Sequence, residues 1–404
     1  MVRRILSFML VFSLVGSLAS FAAGAEEPSE IATASAEPQV YHLETYFQEP
    51  DTNATKDWPE GPLVEAMAAI VMDLDTDAIL YAKNVDQQLY PASITKLLTG
   101  LIACEHLNPE DHFTMSESAA YGIEAGSSSI YGDTGEEFTV EQALMGLCLE
   151  SANEMAMVLG ELVSGSVKKF VELMNQRARE LTCTESHFNN PHGLPDDMHY
   201  TSARDMAKIG KAAWQNLTFR RYFTTDYYEI PPTNVMEETR YLLNHHRMMA
   251  GRDYAYSGVV GGKTGYTDDA GNTLVTFASR GGVNLVAVVL GGTAGGFADT
   301  TLLLDYGFDN FEHLTLYLDD PLPELLPAEY FALSDTALAF PYRRNVVVTV
   351  PRGTKRDEIV RRQALLENAV GPYRIKSKYY FHDRMVGFAL QYEQPLYGET
   401  QAEG

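Results

Sequence analysis

Cysteine is scarce in this chain. Cys104, Cys148 and Cys183 are odd in number and far apart, so neither a disulfide framework nor a metal-ligand spacing is present. Cys104 and Cys148 fall on core-facing positions of expected helices and read as small buried hydrophobes. Positive charge is scarce as well: 30 Lys and Arg stand against 55 Asp and Glu, a formal net charge of −25. That balance argues against nucleic acid and against an anionic membrane surface as partners. The final stretch, Gly398-Glu399-Thr400-Gln401-Ala402-Glu403-Gly404, has no apolar face and no basic residue, so no C-terminal membrane anchor is expected. His245-His246 has no carboxylate or third histidine at useful spacing, and no metal or other cofactor is expected.

What the chain does have begins with length. Its 404 residues, 45% hydrophobic and 21% charged, suffice for two globular domains. Arg3 and Arg4 precede the apolar run Ile5–Val15, and Ala23-Gly24-Ala25 supplies small residues for cleavage. Residues 1–25 therefore read as a signal peptide, the alternative being an uncleaved N-terminal anchor. Cleavage after Ala25 removes two arginines and no acid, which leaves 28 basic against 55 acidic residues, or −27. Residues 26–62, rich in Glu, Ala, Thr and Pro, read as a flexible linker.

Order is expected to begin with a hairpin, Ala66–Asp73 and Ala78–Ala82 around Asp75-Thr76-Asp77. Thr139-Val140-Glu141-Gln142 has the capping-box pattern, with Leu144 and Leu147 as an apolar stripe. The stripe stops at Glu150-Ser151-Ala152-Asn153, and a new helix runs from Glu154 to Val163. A polar break between buried helices can present side chains to a cleft. Ser166–Leu181 reads as an amphipathic helix with Phe170, Leu173 and Met174 inward. From Val259 the pattern changes to strands, with Thr273–Ser279 and Val283–Leu290 joined by Arg280-Gly281-Gly282, and Thr300–Tyr306 reads as a closing helix. Beyond Tyr317 the chain turns Pro-rich and β-branched, with strands expected at Asn345–Val350, Lys376–Phe381 and Val386–Tyr392.

The stretch Tyr90-Pro91-Ala92-Ser93-Ile94-Thr95-Lys96-Leu97-Leu98 carries the chemistry. Pro91 pre-sets a helix start, and Ile94, Leu97, Leu98, Leu101 and Ile102 follow at helical spacing. Lys96 lies one turn beyond Ser93 on the same side, so its amine can reach the serine oxygen. A lysine among apolar neighbours is pushed toward its neutral form and can then take the serine proton. A second Ser-x-x-Lys, Ser166 to Lys169, reads as an ordinary helix start. Ser151-Ala152-Asn153 and Lys263-Thr264-Gly265 complete an ordered set of three motifs found in penicillin-binding proteins and class A β-lactamases.

With these motifs the chain resembles the low-molecular-mass penicillin-binding proteins, the serine-type D-alanyl-D-alanine carboxypeptidases of the S11 peptidase family. The resemblance runs from about Ala66 to Phe308 and includes Gly126–Ser129, Gly135–Val140, Asn190–Pro195 and Leu304–Phe308. It implies an α/β (α+β) fold of the β-lactamase/DD-peptidase type: an antiparallel sheet flanked by helices, with a helical lobe. The catalytic domain is expected over 63–315, followed by a small β-rich C-terminal domain over 316–397 and a tail over 398–404. The implied substrate is a peptidoglycan stem peptide ending in D-Ala–D-Ala, with β-lactams as covalent inhibitors, and the implied location is the cell-wall side of a bacterial membrane.

The resemblance also implies roles. Ser93 attacks the carbonyl, Lys96 takes its proton, and Ser151 relays a proton to the leaving amine. Asn153 holds Lys96 and the substrate amide, Lys263 supplies positive potential, and Thr264 binds the terminal carboxylate. Gly265 keeps the strand edge clear, and the Ser93 and Tyr266 backbone N–H groups meet the oxyanion. Two departures stand out. The second motif reads Ser-Ala-Asn followed by Glu154, where glycine and aspartate are more usual, and the 291–300 loop has no arginine for the substrate carboxylate. Alternatives are a β-lactamase, disfavoured because Asn190–Pro195 offers no glutamate to position water; a DD-endopeptidase; and a non-catalytic muropeptide- or β-lactam-binding module. His192 and the Asn244–Met249 run read as framework.

Overall fold

The structure is a computed structural model that describes residues 43–293, 296–317, 345–365 and 373–392. The expected signal peptide, the first part of the expected linker and the 398–404 tail lie outside the described residues. The linker expectation fails from residue 43 onward. A helical turn, α1 (Leu43–Tyr46), and a 3-10 turn at Asp51–Ala54 lead to Trp58, which is buried. Its ring lies 5.0 Å from Phe311 and 6.2 Å from Phe381, and its indole N–H donates to the Leu80 carbonyl at 2.8 Å. One large aromatic with partners on two other elements orders a segment whose composition is otherwise polar.

The hairpin β1 (Ala68–Asp73) and β2 (Ile79–Lys83) comes next, then α2 (Lys96–His106), β3 (His112–Thr114), α3 (Glu117–Tyr121) and β4 (Glu137–Thr139). Four further helices follow: α4 (Val140–Leu149), α5 (Asn153–Ser164), α6 (Val167–Glu180) and α7 (Ala203–Gln215). Then come α8 (Leu217–Phe223) and a small hairpin, β5 (Tyr227–Ile230) with β6 (Arg240–Leu243). The strands β7 (Val259–Thr267), β8 (Gly271–Arg280) and β9 (Val283–Gly292) precede α9 (Phe297–Asn310). The last group is β10 (Phe311–Tyr317), β11 (Asn345–Pro351), β12 (Ile359–Leu365), β13 (Tyr373–Phe381) and β14 (Arg384–Tyr392).

The main sheet is antiparallel in the order β2-β1-β9-β8-β7. Its two edge strands, β2 and β7, are far apart in the sequence. β1 is buried at all six positions, as a strand covered on both faces must be. Alternate residues feed alternate cores. Ile70, Val275, Phe277, Val286 and Val288 join the helical lobe built from α2, α4, α5, α6, α7 and α8. Val71, Leu274, Ala287 and Val289 join a second core with Trp58, α9 and the C-terminal strands. Leu97, Leu98, Leu101 and Ile102 of α2 are all buried, which makes α2 the apolar axle of the lobe.

Several local expectations hold. Thr139 and Gln142 form the reciprocal cap of α4, and Ser166 caps α6 by accepting from the Lys169 amide, so the second Ser-x-x-Lys is a helix start. Others need correction. The 315/316 boundary cuts through β10, which pairs with β11 along its whole length from Phe311↔Pro351 to Tyr317↔Asn345. β10 and β12 were not anticipated; the sheet partner of β10, β11, begins 28 residues after β10 ends.

At the junction of these parts Asp73 is fully buried. Its Oδ1 accepts from the amides of Asp75 and Thr76, and its Oδ2 accepts from His313 Nε2 at 2.8 Å and Thr349 Oγ1 at 2.9 Å. Ligand atoms of Asp73, Asp75 and His313 lie within 4.8 Å of one another, but both Asp73 oxygens are already taken by hydrogen-bond donors. Among the described residues no helix is long and apolar enough to cross a membrane.

Candidate active site

Ser93 sits in a 3-10 turn, Ala92–Thr95, that leads straight into α2, whose first residue is Lys96. The Lys96 side chain is buried, and its Nζ has three oxygen neighbours: Ser93 Oγ at 3.0 Å, Asn153 Oδ1 at 2.7 Å and the His192 carbonyl at 2.7 Å. A neutral amine has two N–H groups and one lone pair. With Asn153 Oδ1 and the His192 carbonyl able only to accept, both N–H groups are used there and the lone pair is left for the Ser93 O–H. Burial holds the Lys96 amine well below the usual lysine range; Lys263 adds to this, and Glu154 opposes it.

The second motif lies across the site. Ser151, in the break between α4 and α5, has φ +59°, a left-handed conformation that a non-glycine residue adopts at a cost of about 1–3 kcal/mol. Asn153 opens α5, and its amide donates to the Ser128 carbonyl at 2.8 Å. From β7, Lys263 Nζ donates to Ser151 Oγ at 2.9 Å and to the Thr264 carbonyl at 2.8 Å. Burial pulls the Lys263 amine down to about 8, with the nearby Cys148 opposing. It therefore stays largely protonated at neutral pH, while burial favours the neutral form of Lys96 more strongly. Coulomb repulsion between the two lysines favours one neutral and one charged amine.

β7 is an edge strand of the main sheet. Thr264 and Gly265 are half-buried along it, and the Tyr266 side chain is exposed, its hydroxyl donating to Asp268 at 3.0 Å. An extended peptide can add to such an edge by main-chain hydrogen bonds. The Ser93 turn is locked against β7 and β8 by Thr273, whose hydroxyl donates to the Pro91 carbonyl at 2.8 Å. Ala92, directly before Ser93, has φ +50°, so the turn that presents the serine is strained.

Of the eight residues singled out from the sequence, Ser93, Lys96 and Asn153 form one hydrogen-bonded group, and Ser151 and Lys263 form another. Electrostatic coupling links the two through the lysines. Thr264, Gly265 and Tyr266 continue from Lys263 along β7. Sequence reasoning missed the His192 carbonyl, because a backbone acceptor leaves no side-chain signal. The His192 ring itself is framework: its Nδ1 accepts from the Leu194 amide at 3.2 Å. Thr273 was also missed, since a threonine in a strand is unremarked by type. His246 is framework too, buried beneath Gly262 with Nε2 2.9 Å from Thr276 Oγ1. His245 pairs with Glu150 at 3.0 Å. The three cysteines are free; Cys148 and Cys183 are buried and Cys104 is half-buried.

A family model described as D-alanyl-D-alanine carboxypeptidase matches residues 54–294. D-alanyl-D-alanine carboxypeptidase DacF of Bacillus subtilis (strain 168) is 35% identical over 260 residues, which are 63% of this chain and 64% of that relative. The matched segment thus spans just under two thirds of the relative's length. DacA of Escherichia coli (strain K12), also a D-alanyl-D-alanine carboxypeptidase, is 28% identical over 76% of each chain. Among solved structures, penicillin binding protein 5 from Haemophilus influenzae superposes with a TM-score of 0.64 at 27% identity, covering 82% of this chain and 97% of that one. A Streptomyces K15 DD-transpeptidase structure gives 0.58 at 29% identity, covering 61% and 99%.

Proposed function

The chain belongs to the D-alanyl-D-alanine carboxypeptidase family, and from that we propose that it removes the terminal D-alanine of peptidoglycan stem pentapeptides. The reaction is serine-type and passes through an acyl-enzyme, which a β-lactam also forms. The observation that carries the reading is the Lys96 amine, buried and directed at the Ser93 hydroxyl at 3.0 Å.

In the proposed mechanism the Ser93 proton passes to Lys96 Nζ as Ser93 Oγ bonds the scissile carbonyl. The oxyanion is met by the Ser93 and Tyr266 amides, one such donor being worth about 3–4 kcal/mol of barrier. The proton taken up by Lys96 then passes by way of Ser151 Oγ, which Lys263 holds, to the leaving D-alanine amine; the C–N bond breaks and Lys96 is neutral again. Asn153 keeps Lys96 aligned and bonds the substrate amide. Thr264 and Lys263 receive the free carboxylate beyond the scissile bond, and Gly265 leaves room for the peptide along β7. Water then hydrolyses the acyl-enzyme. None of these steps calls for a cofactor.

The proposal extends to the chain's organisation. Residues 1–25 direct export to the cell-wall side and are cleaved after Ala25; the catalytic domain is followed by a β-rich domain. A secreted protein starting at Glu26 is expected, and Met1 intact in a membrane fraction would overturn this. For the activity, mass spectrometry of a synthetic pentapeptide ending in D-Ala–D-Ala should show loss of one D-alanine. Labelled penicillin should attach to Ser93. Labelling that survives Ser93→Ala and disappears with Ser166→Ala would sink the assignment.

A further inference from the structure

Glu154 directly follows the second motif, and its side chain is fully buried. One oxygen, Oε1, accepts from Ser129 Oγ at 2.8 Å and from the Ile130 amide at 2.7 Å. The other, Oε2, is buried with no hydrogen-bond partner. An acceptor oxygen left bare inside a protein is destabilising, and more so when the group is charged. The residue lies in the first turn of α5, where the helix dipole favours a carboxylate. Asn153, one position before it, bonds the Lys96 amine.

We propose that Glu154 is a positioning residue for the acyl-transfer reaction: Oε1 ties the Ser127–Tyr131 loop to the start of α5, and the bare Oε2, next in the chain to Asn153, favours the ammonium formed on Lys96. The inference rests on the acyl-enzyme reading given above. When Ser93 Oγ–H gives its proton to Lys96 Nζ and Oγ bonds the carbonyl carbon, a second buried cation appears beside Lys263. Repulsion from Lys263 opposes that proton transfer, and a buried carboxylate offsets it.

The other titratable groups facing Lys96 do not supply this charge. Lys263, on β7, is a cation that holds Lys96 down. His192 and His199 are pulled down to about 3 and about 4, chiefly by burial, so both are neutral in the working range. Glu154 is the acid that raises the Lys96 amine.

The loop contact has its own support. Asn153 N–H bonds the Ser128 carbonyl. Arg240, paired with the fully buried Glu136, donates to the Ile130 carbonyl at 2.8 Å and the Tyr131 carbonyl at 3.1 Å. The loop is therefore gripped from both sides, by Arg240 and by Glu154, with Asn153 between the loop and Lys96.

The two halves separate by mutation, read as the pH profile of penicillin acylation and of D-alanine release by the full-length enzyme. Glu154→Gln keeps an acceptor for Ser129 and Ile130 and removes the charge. The ascending limb, which reports Lys96 losing its proton, should move to lower pH by about one unit, with KM little changed. Glu154→Asp keeps the charge but is one methylene short of the loop, so KM should rise with the limb in place. An unmoved limb in a Glu154→Gln protein of native melting temperature would overturn the proposal. Should Glu154→Gln not fold, Glu154→Asp and Ser129→Ala decide it: raised KM with an unmoved limb supports the role, and unchanged KM in both overturns it. Acylation by penicillin without any D-alanine release from the unmodified enzyme would defeat the proposed function while leaving the Glu154 test readable.

Discussion

Gly265 and Ser93 meet backbone against backbone: a Cβ on Gly265 would stand 2.8 Å from the Ser93 nitrogen and 2.4 Å from Thr273 Oγ1. The sequence suggested a glycine that clears the strand edge for substrate. The structure adds that this glycine lets β7 approach the turn bearing the serine. Gly265→Ala must push apart β7 and the Ala92–Thr95 turn, and with them the amide proposed to meet the oxyanion. Penicillin acylation should fall by about 100-fold or more, with a melting transition still cooperative. Acylation at the native rate would show that the close approach does not matter.

Lys263 offers a test of the cation's role. Its amine, pulled down to about 8 by burial, loses its charge as pH rises through that value, while Lys96 must be neutral to act. Activity should therefore follow a bell, rising as Lys96 deprotonates and falling near pH 8. An arginine cannot deprotonate in this range. Lys263→Arg should keep part of the acylation and lose the descending limb, and a limb that remains near pH 8 would assign it to another group.

In the proposed mechanism Thr264 and Lys263 receive the substrate's free carboxylate, and the 291–300 loop carries no arginine. A hydrogen bond to a charged group contributes about 1.5–3 kcal/mol, so Thr264→Val should slow cleavage of the acid substrate by about ten- to a hundred-fold. Cleavage of an amidated or extended peptide should change much less. Equal rates on acid and amide by the unmodified enzyme would favour endopeptidase action.

The Asp73–His313 pair should make stability depend on pH. Burial opposes the charged His313 ring, but the hydrogen bond and the charge of Asp73 outweigh it and raise the imidazole above its ordinary value. A histidine raised in the folded state stabilises fully below its unfolded value of about 6.5, and the contribution is lost as pH rises through the folded value. His313→Ala should thus lower the melting temperature more at pH 5.5 than at pH 9, with about 1.5–3 kcal/mol at stake on the acid side. An equal drop at both values would mean that packing alone is lost.

Much of the site was legible because its chemistry is carried by side chains in short local patterns. A serine and a lysine one turn apart on an apolar helix face in the same direction whatever the rest of the chain does, and Ser93 and Lys96 are indeed hydrogen-bonded. The break at Ser151 between two apolar stripes marked a place where backbone leaves the helix. By contrast Trp58, within a polar stretch, gave no local sign that Phe311 and Phe381 would enclose it. β10 was hidden because its partner β11 begins 28 residues after it ends.

By itself the sequence determined the β1–β2 hairpin, the caps of α4 and α6, and the candidate site residues, since periodicity and capping act between residues a few positions apart. Only the tertiary structure decided how far each lysine is pushed toward its neutral form. Lys96 and Lys263 have the same intrinsic affinity for a proton, and they differ through burial and neighbours drawn from distant segments: Asn153 and Glu154 from α5, the His192 carbonyl from a loop, and Ser151 opposite β7. Desolvation and charge proximity depend on distances in space, and those distances exist only once the sheet and the helical lobe have closed around the Ser93 turn.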